Sequence, residues 1–377
     1  MPIYLDHNAT TPPDPSVVQA VSWAMAEVPG NPSTLYGSGR RAKELLDAAR
    51  SRVAKLVGAR DPFEVVFTSG GTEGDNLALG GVCRALVKKG DHLVTTMAEH
   101  KAVLRTCTAL EAQGFHVTYL PVDRLGRVDP EDVRRSLTPR TVLVSVILAN
   151  NEVGTVNPLW GISAVCREAG VLLHTDGVQA CGKLPVDVEA LGVDLLTLSG
   201  HKFHGPRGIG ALWVRSGTPL VPLLHGGTQE RGLRPGTENV PGAHGLGVAA
   251  ELAAARLAEA TTRVVRTLRD RLWAGIREAV PGVRHHGDLE AGLPNTLNVS
   301  IPGREAEALV LALDREGVEA GTGSACTTGQ TIPSHVLLAM GAPPREARSS
   351  LRFSLGRDNT AEEVEVTLGA LSRILDS

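Results

Sequence analysis

Lys202 stands in SGHKFHGPRGIG (199–210), directly after the apolar run VDLLTLS (193–199). The chain has seven lysines, and the other six (Lys43, Lys55, Lys88, Lys89, Lys101 and Lys183) fall on helical faces or turns suited to a solvated charge. A lysine at the mouth of a buried site loses its proton readily and becomes an amine nucleophile. Other polar groups end other apolar runs. EVVFTS (64–69) leads into the glycine-rich turn TSGGTEGDN, whose backbone N–H groups and hydroxyls suit a phosphate. DHLVTTM is followed by His100 and TVLVSVIL by Asn150, Asn151 and Glu152, and VLLHTD ends on Asp176 with Gln179 three residues on. VDLLTL ends on Ser199, Gly200, His201 and Lys202. Singly, each has a plain structural reading: Asp176 as a helix cap, Asn150–Asn151 as a turn, TSGGTE as a capping turn. Five of six successive run ends of this kind are poorly explained by chance capping. A phosphate cradle, an acid and a carbonyl-reactive lysine together suggest pyridoxal phosphate, which needs all three.

The elements that must hold these groups are legible as a pattern. Short Val/Leu/Ile runs at 64–69, 91–97, 116–122, 141–148, 171–176, 193–199 and 210–214 alternate with amphipathic segments. That pattern predicts an α/β domain with a mostly parallel sheet of seven strands between helices. Ligands of such sheets bind at the carboxyl ends of the strands. Around residue 243 an Ala/Arg/Leu-rich stretch begins, read as one long helix or two joined ones. Strands near 295–301 and 351–355 and helices near 304–316 and 360–375 then predict a smaller α+β unit. The expected division is a large domain at 15–250 and a small one from 1–14 and 251–377.

Composition excludes several functions. The 377 residues are 42% hydrophobic, with 38 basic against 41 acidic residues and a net charge of −3. No basic run points to nucleic acid, and no apolar run reaches the roughly 20 residues of a membrane span. No secretory leader is visible, so a cytosolic location is expected. The five cysteines lack CxxC spacing, and HxxH at His201/His204 and the pair His285–His286 lack metal-ligand partners, so no metal site is expected. Gly245, Gly247 and Ala250 fit GxGxxA without a preceding strand, which favours a packed helix over a dinucleotide site. Four cysteines sit in apolar surroundings. Cys326 instead lies in GTGSACTTGQTIP (321–333), small and polar, where a mobile thiolate is physically plausible.

The motifs YLDHNATTP, TSGGTE, EHKAV, NNEVG, HTDGVQ, SGHKFHGPRGIG, RPGTENV, GSACTT and LRFSLGR, in that order over nearly the whole chain, resemble the cysteine desulfurases of the class V aminotransferase family. The resemblance implies the fold-type I pyridoxal-phosphate architecture. It implies Lys202 as the residue that holds the cofactor, Asp176 against the ring nitrogen and Gln179 against the phenolic oxygen. His100 would stack on the ring and move protons. Gly71, Thr72, Ser199 and His201 would hold the phosphate, with Thr237 reaching in from a second subunit. Asn151 and Arg352 would bind the substrate carboxylate. Cys326 would take the sulfur of L-cysteine as a persulfide, releasing alanine, and pass it to an iron–sulfur scaffold or a tRNA-thiolation protein. Asn8 takes a place where the family often has serine. On the same scaffold a selenocysteine lyase, a cysteine β-lyase or a transaminase is possible, though a transaminase has no need of Cys326. A nucleotide-binding or scaffold protein without catalysis would leave Lys202, Asp176 and Cys326 without a joint explanation.

Overall fold

The computed structural model describes residues 2–259, 261–322 and 332–376, without the side chain of residue 261. Cys326, with the rest of 323–331, lies outside the described residues.

The strands are β1 (Ile3–Tyr4), β2 (Val65–Thr68), β3 (His92–Thr96), β4 (His116–Leu120), β5 (Thr141–Ser145), β6 (Leu172–Asp176), β7 (Leu195–Ser199), β8 (Gly210–Val214), β9 (Arg284–His286), β10 (Thr296–Ser300), β11 (Val318–Glu319), β12 (Gly321–Thr322) and β13 (Ser350–Ser354). Seven of them form one sheet in the order β2-β8-β7-β6-β5-β3-β4. It is parallel except at β8, which runs antiparallel to both β2 and β7. β3, β5, β7 and β8 are buried at every residue, because helices cover both faces and only continuous apolar runs tolerate that. β4 is partly exposed, as an edge strand should be.

The segment after 239 forms two helices, Val240–Ala258 and Thr261–Ala279. The first lies along Gly37–Leu56, where a Cβ on Gly247 would stand 2.7 Å from the Ala49 Cα. Gly245 and Gly247 therefore serve helix packing. Residue 250, the expected domain boundary, lies inside this helix, and Ala253 still belongs to the core around the large sheet. A second core gathers Leu5, Leu272, Leu297, Leu313, Leu351 and Phe353 around the four-stranded antiparallel sheet β12-β13-β10-β9. The chain start joins this unit, β1 pairing parallel with β11. Residues 6–11 then cross to the large sheet, where the Thr11 N–H donates to the His201 carbonyl. Among the described residues, no helix is long and apolar enough to cross a membrane.

Candidate active site

The carboxyl ends of β2, β3, β5, β6 and β7 meet at a cleft of about 870 Å³ that is open to solvent. Its walls include Gly71, Thr72, His100, Asn151, Asp176, Gln179, Ser199, His201 and Lys202 from the large sheet and Arg352 from β13. Two expected site residues are not among them: Thr237 is exposed elsewhere on this chain, and Cys326 lies outside the described residues.

Each group is placed by a simple local cause. Gly71–Ala85 begins on Gly70 at φ 157°, with no side-chain cap, so its first N–H groups keep their capacity for an anion. Among the described residues, the Thr72 and Ser199 hydroxyls have no hydrogen-bond partner either. His100 caps Lys101–Glu111, its Nδ1 accepting from the Ala102 N–H at 3.1 Å. Burial pulls its pKa below the usual imidazole value, against the pull of Asp176. Asp176 ends β6 and accepts from the Val178 N–H at 2.9 Å. Lys202 follows β7 in a short 3-10 turn, and its Nζ donates to the carbonyls of Asn8 (2.8 Å) and Ala9 (2.7 Å). Burial, then the nearby Arg352, lower its pKa to about 8. Near neutral pH a useful fraction is therefore the free amine.

The electrostatics of the floor are unusual. Asp75, His100 and Asp176 have ligand atoms within 4.8 Å of one another. Asp75 is 1% exposed, and its Oδ1 has no hydrogen-bond partner among the described residues. His174, buried behind it, approaches that oxygen at 3.6 Å while bonding Ser145 and Thr197. Burial holds His174 neutral, with a pKa lowered to about 3. Burial raises the pKa of both Asp75 and Asp176; the charge of Asp176 adds to the rise at Asp75, while His100, the Val178 N–H and Lys202 oppose the rise at Asp176. A protonated ring nitrogen against Asp176 would supply the positive charge this floor lacks. With the uncapped helix start and the free hydroxyls, the residues present fit pyridoxal phosphate.

Sequence reasoning did not single out Asp75, and it marked Asn8 as a departure from the family without giving it a role. Asp75 is four residues after Gly71, so both share one helix face, a signal present in the sequence. Asn8 reaches the cleft only through the crossing of residues 6–11. One expectation is corrected: Lys183 does not carry a solvated charge. It is half-buried, and its Nζ donates to Gln179 Oε1 at 2.5 Å and Asn8 Oδ1 at 2.8 Å.

Arg352 joins the two units. Its Nη2 donates to Asp6 Oδ1 at 2.7 Å and its Nη1 to the Asn151 carbonyl at 3.0 Å. Its Nε is buried without a partner among the described residues, a donor well suited to a carboxylate ligand. The described residues on either side of 323–331 hold to the same region. Gly321 pairs with Arg352 across β12–β13. Beyond the segment, the Ser334 hydroxyl donates to Glu152, and His335 Nε2 bonds the Glu99 carbonyl at 2.9 Å. Cys83, Cys107, Cys166 and Cys181 are buried and free. Burial pushes the thiols of Cys83, Cys166 and Cys181 up to about 12 and that of Cys107 upward as well, so all four are inert.

Known proteins resemble this chain over nearly its whole length. The profile of the aminotransferase class-V family matches residues 3–366. A cysteine desulfurase IscS of Methanosarcina thermophila is 47% identical over 373 residues, which covers 99% of this chain and 92% of the relative. A solved NifS-like protein superposes with a TM-score of 0.93 at 40% identity, covering 100% of both chains. A second, solved as SspA in complex with cysteine, gives a TM-score of 0.82 at 35% identity, covering 95% of this chain and 100% of the other. The chain belongs to the class-V aminotransferase family.

Proposed function

We propose that this enzyme is a cysteine desulfurase that binds pyridoxal phosphate in the cleft and converts L-cysteine to L-alanine, leaving a persulfide on Cys326. One observation carries the reading. A lysine with a lowered pKa, a buried acid and an uncapped helix start converge on one cleft, with an arginine donor free at its edge. Relatives named cysteine desulfurase at 45–47% identity support the choice of substrate.

The cofactor, when bound, supplies an electron-withdrawing ring that makes the substrate's Cα proton acidic and its Cβ–S bond breakable. This chain's residues do the rest. Arg352 and Asn151 orient the substrate carboxylate. The free amine of Lys202 accepts the Cα proton at Nζ. Asp176 holds charge against the ring nitrogen, and Gly71, Thr72, Ser199 and His201 hold the phosphate. Cys326 attacks the substrate sulfur, forming an S–S bond as the C–S bond breaks. Sulfur moves to Cys326, and alanine keeps the substrate's remaining atoms. A second copy of the chain supplies Thr237 to the phosphate, so the working unit is a homodimer. The two lobes correspond to a large unit around the seven-stranded sheet and a small one from the chain start and the C-terminal third. The persulfide is passed in the cytoplasm to an acceptor protein, of iron–sulfur assembly or tRNA thiolation.

The test is a product assay with added pyridoxal phosphate, L-cysteine and a thiol reductant. Equal amounts of alanine and sulfide are expected, with Cys326→Ala losing at least a hundredfold in rate. Pyruvate with sulfide would mean β-elimination. Full activity in Cys326→Ala would remove the persulfide step.

A further inference from the structure

Lys183 contacts Gln179, which lines the cleft, yet is itself absent from the cleft wall. The Lys183 Nζ donates to both partners, and Gln179 and Asn8 both turn their amide oxygens toward it, the orientation that an ammonium group, which can only donate, enforces. Gln179 Oε1 is thereby occupied. Its NH2 group donates to the Asn8 carbonyl at 2.9 Å, which leaves one N–H for a ligand. The NH2 group of Asn8 is turned in the same way to Thr296 Oγ1 (2.8 Å) and the Asn151 carbonyl (3.2 Å). Burial, with the charges of Lys202 and Arg352, pulls the Lys183 pKa well below the ordinary lysine value. Two N–H donors suffice for its two acceptors, so the neutral side chain keeps this arrangement, although only the ammonium form, without a lone pair, forbids the flipped amide.

We propose that Lys183 is a positioning residue that locks the Gln179 amide with N–H, not C=O, toward the cleft, so that Gln179 can only donate to the phenolic oxygen of a bound pyridoxal ring. This rests on the reading of the cleft as a pyridoxal-phosphate site. Without Lys183 nothing holds the amide oxygen, and only the Asn8 carbonyl, through the NH2 group, still opposes a flip that would turn the oxygen to the phenolate.

The experiment compares binding of pyridoxal phosphate and of 3-deoxypyridoxal phosphate, which lacks the phenolic oxygen, to apoprotein by fluorescence titration. Lys183→Met is expected to weaken pyridoxal phosphate about five- to tenfold, the scale of one lost hydrogen bond. The 3-deoxy analogue should change less than twofold. Lys183→Arg, which keeps its donors, should retain most of the preference. In a Gln179→Leu background Lys183→Met should have no further effect on that preference, which separates amide orientation from a plain charge effect. Equal weakening of both ligands, no weakening, or an effect that persists without Gln179 overturns the inference. Wild-type protein that binds neither ligand overturns the reading of the site together with it. Should Lys183→Met not fold, Lys183→Gln carries the same comparison, since its shorter amide cannot reach both oxygens.

Discussion

Glu99 touches neither cleft nor solvent, yet the charge of Asp176 reaches it. It is 0% exposed, and its Oε1 accepts from Thr96 Oγ1 and the Ile147 N–H, each at 2.9 Å. Its Oε2 has no partner among the described residues. Burial raises its pKa to about 8, against those two bonds, and Asp176 adds to the rise. The sign of the linkage follows. The folded state keeps the proton at pH values where the unfolded chain has released it, from about 4.5 to about 8. Stability is therefore fully present below the unfolded pKa and is lost as pH rises through that window. Glu99→Gln keeps the acceptor and removes the titration. Urea unfolding of apoprotein at pH 5, 6.5 and 8 should show the wild type losing on the order of 2–4 kcal/mol more than the variant across that range. Parallel pH profiles would place the titration elsewhere. Residue identity made some of this site readable and hid the rest. Asp176, His100 and Lys202 end apolar runs, where a polar group is conspicuous. Lys183 was misjudged because its burial comes from residues 6–11 and from the helix Val240–Ala258 beyond, both far away in sequence.

Elements were the most legible scale, because a strand buried on both faces has almost no composition but Val, Leu and Ile. β5 and β7 could scarcely have been read otherwise, and the glycine-rich turn after β2 announced a helix start. Pairing direction was less visible: nothing local in GALWV says that β8 runs against its neighbours. Helix contacts were legible only through glycine. Gly247 fits a dinucleotide pattern by accident, and its role is close approach to Ala49. Gly247→Val should lower stability by about 1–3 kcal/mol, since the clash is with backbone that cannot swing away. Gly369→Ala, in Ala361–Asp376, meets only the flexible Arg373 side chain and should leave stability unchanged or raise it by about 0.5 kcal/mol. Thermal unfolding of both variants checks this. A gain in both variants would mean that helix propensity, not the Ala49 contact, sets the value of these glycines.

At the scale of the whole molecule, the cleft draws on three regions: the rim of the large sheet, Arg352 of the small one, and residues 6–11 that cross between them. Asn8, in the crossing segment, binds the other two, accepting from Lys183 and Asn295 at its side chain and from Lys202 at its carbonyl. Thr237 stands apart. It is exposed and outside its own cleft, although Arg234, three residues earlier, pairs with Glu73 at 2.9 Å beside the phosphate turn. Leu35 is 89% exposed and Tyr36 61%, apolar surface that a partner subunit could cover. If Thr237 serves the neighbour's phosphate, two inactive variants should complement each other. Thr237→Asp places a negative charge against the phosphate, and Lys202→Ala removes the essential amine. In a mixed dimer, one cleft carries both defects and the other carries neither. Co-expression with two different tags and purification of the mixed species should therefore recover about half of the wild-type activity per dimer. A threonine acting within its own chain predicts the opposite, because each cleft of the mixed dimer would keep one defect and no activity would return.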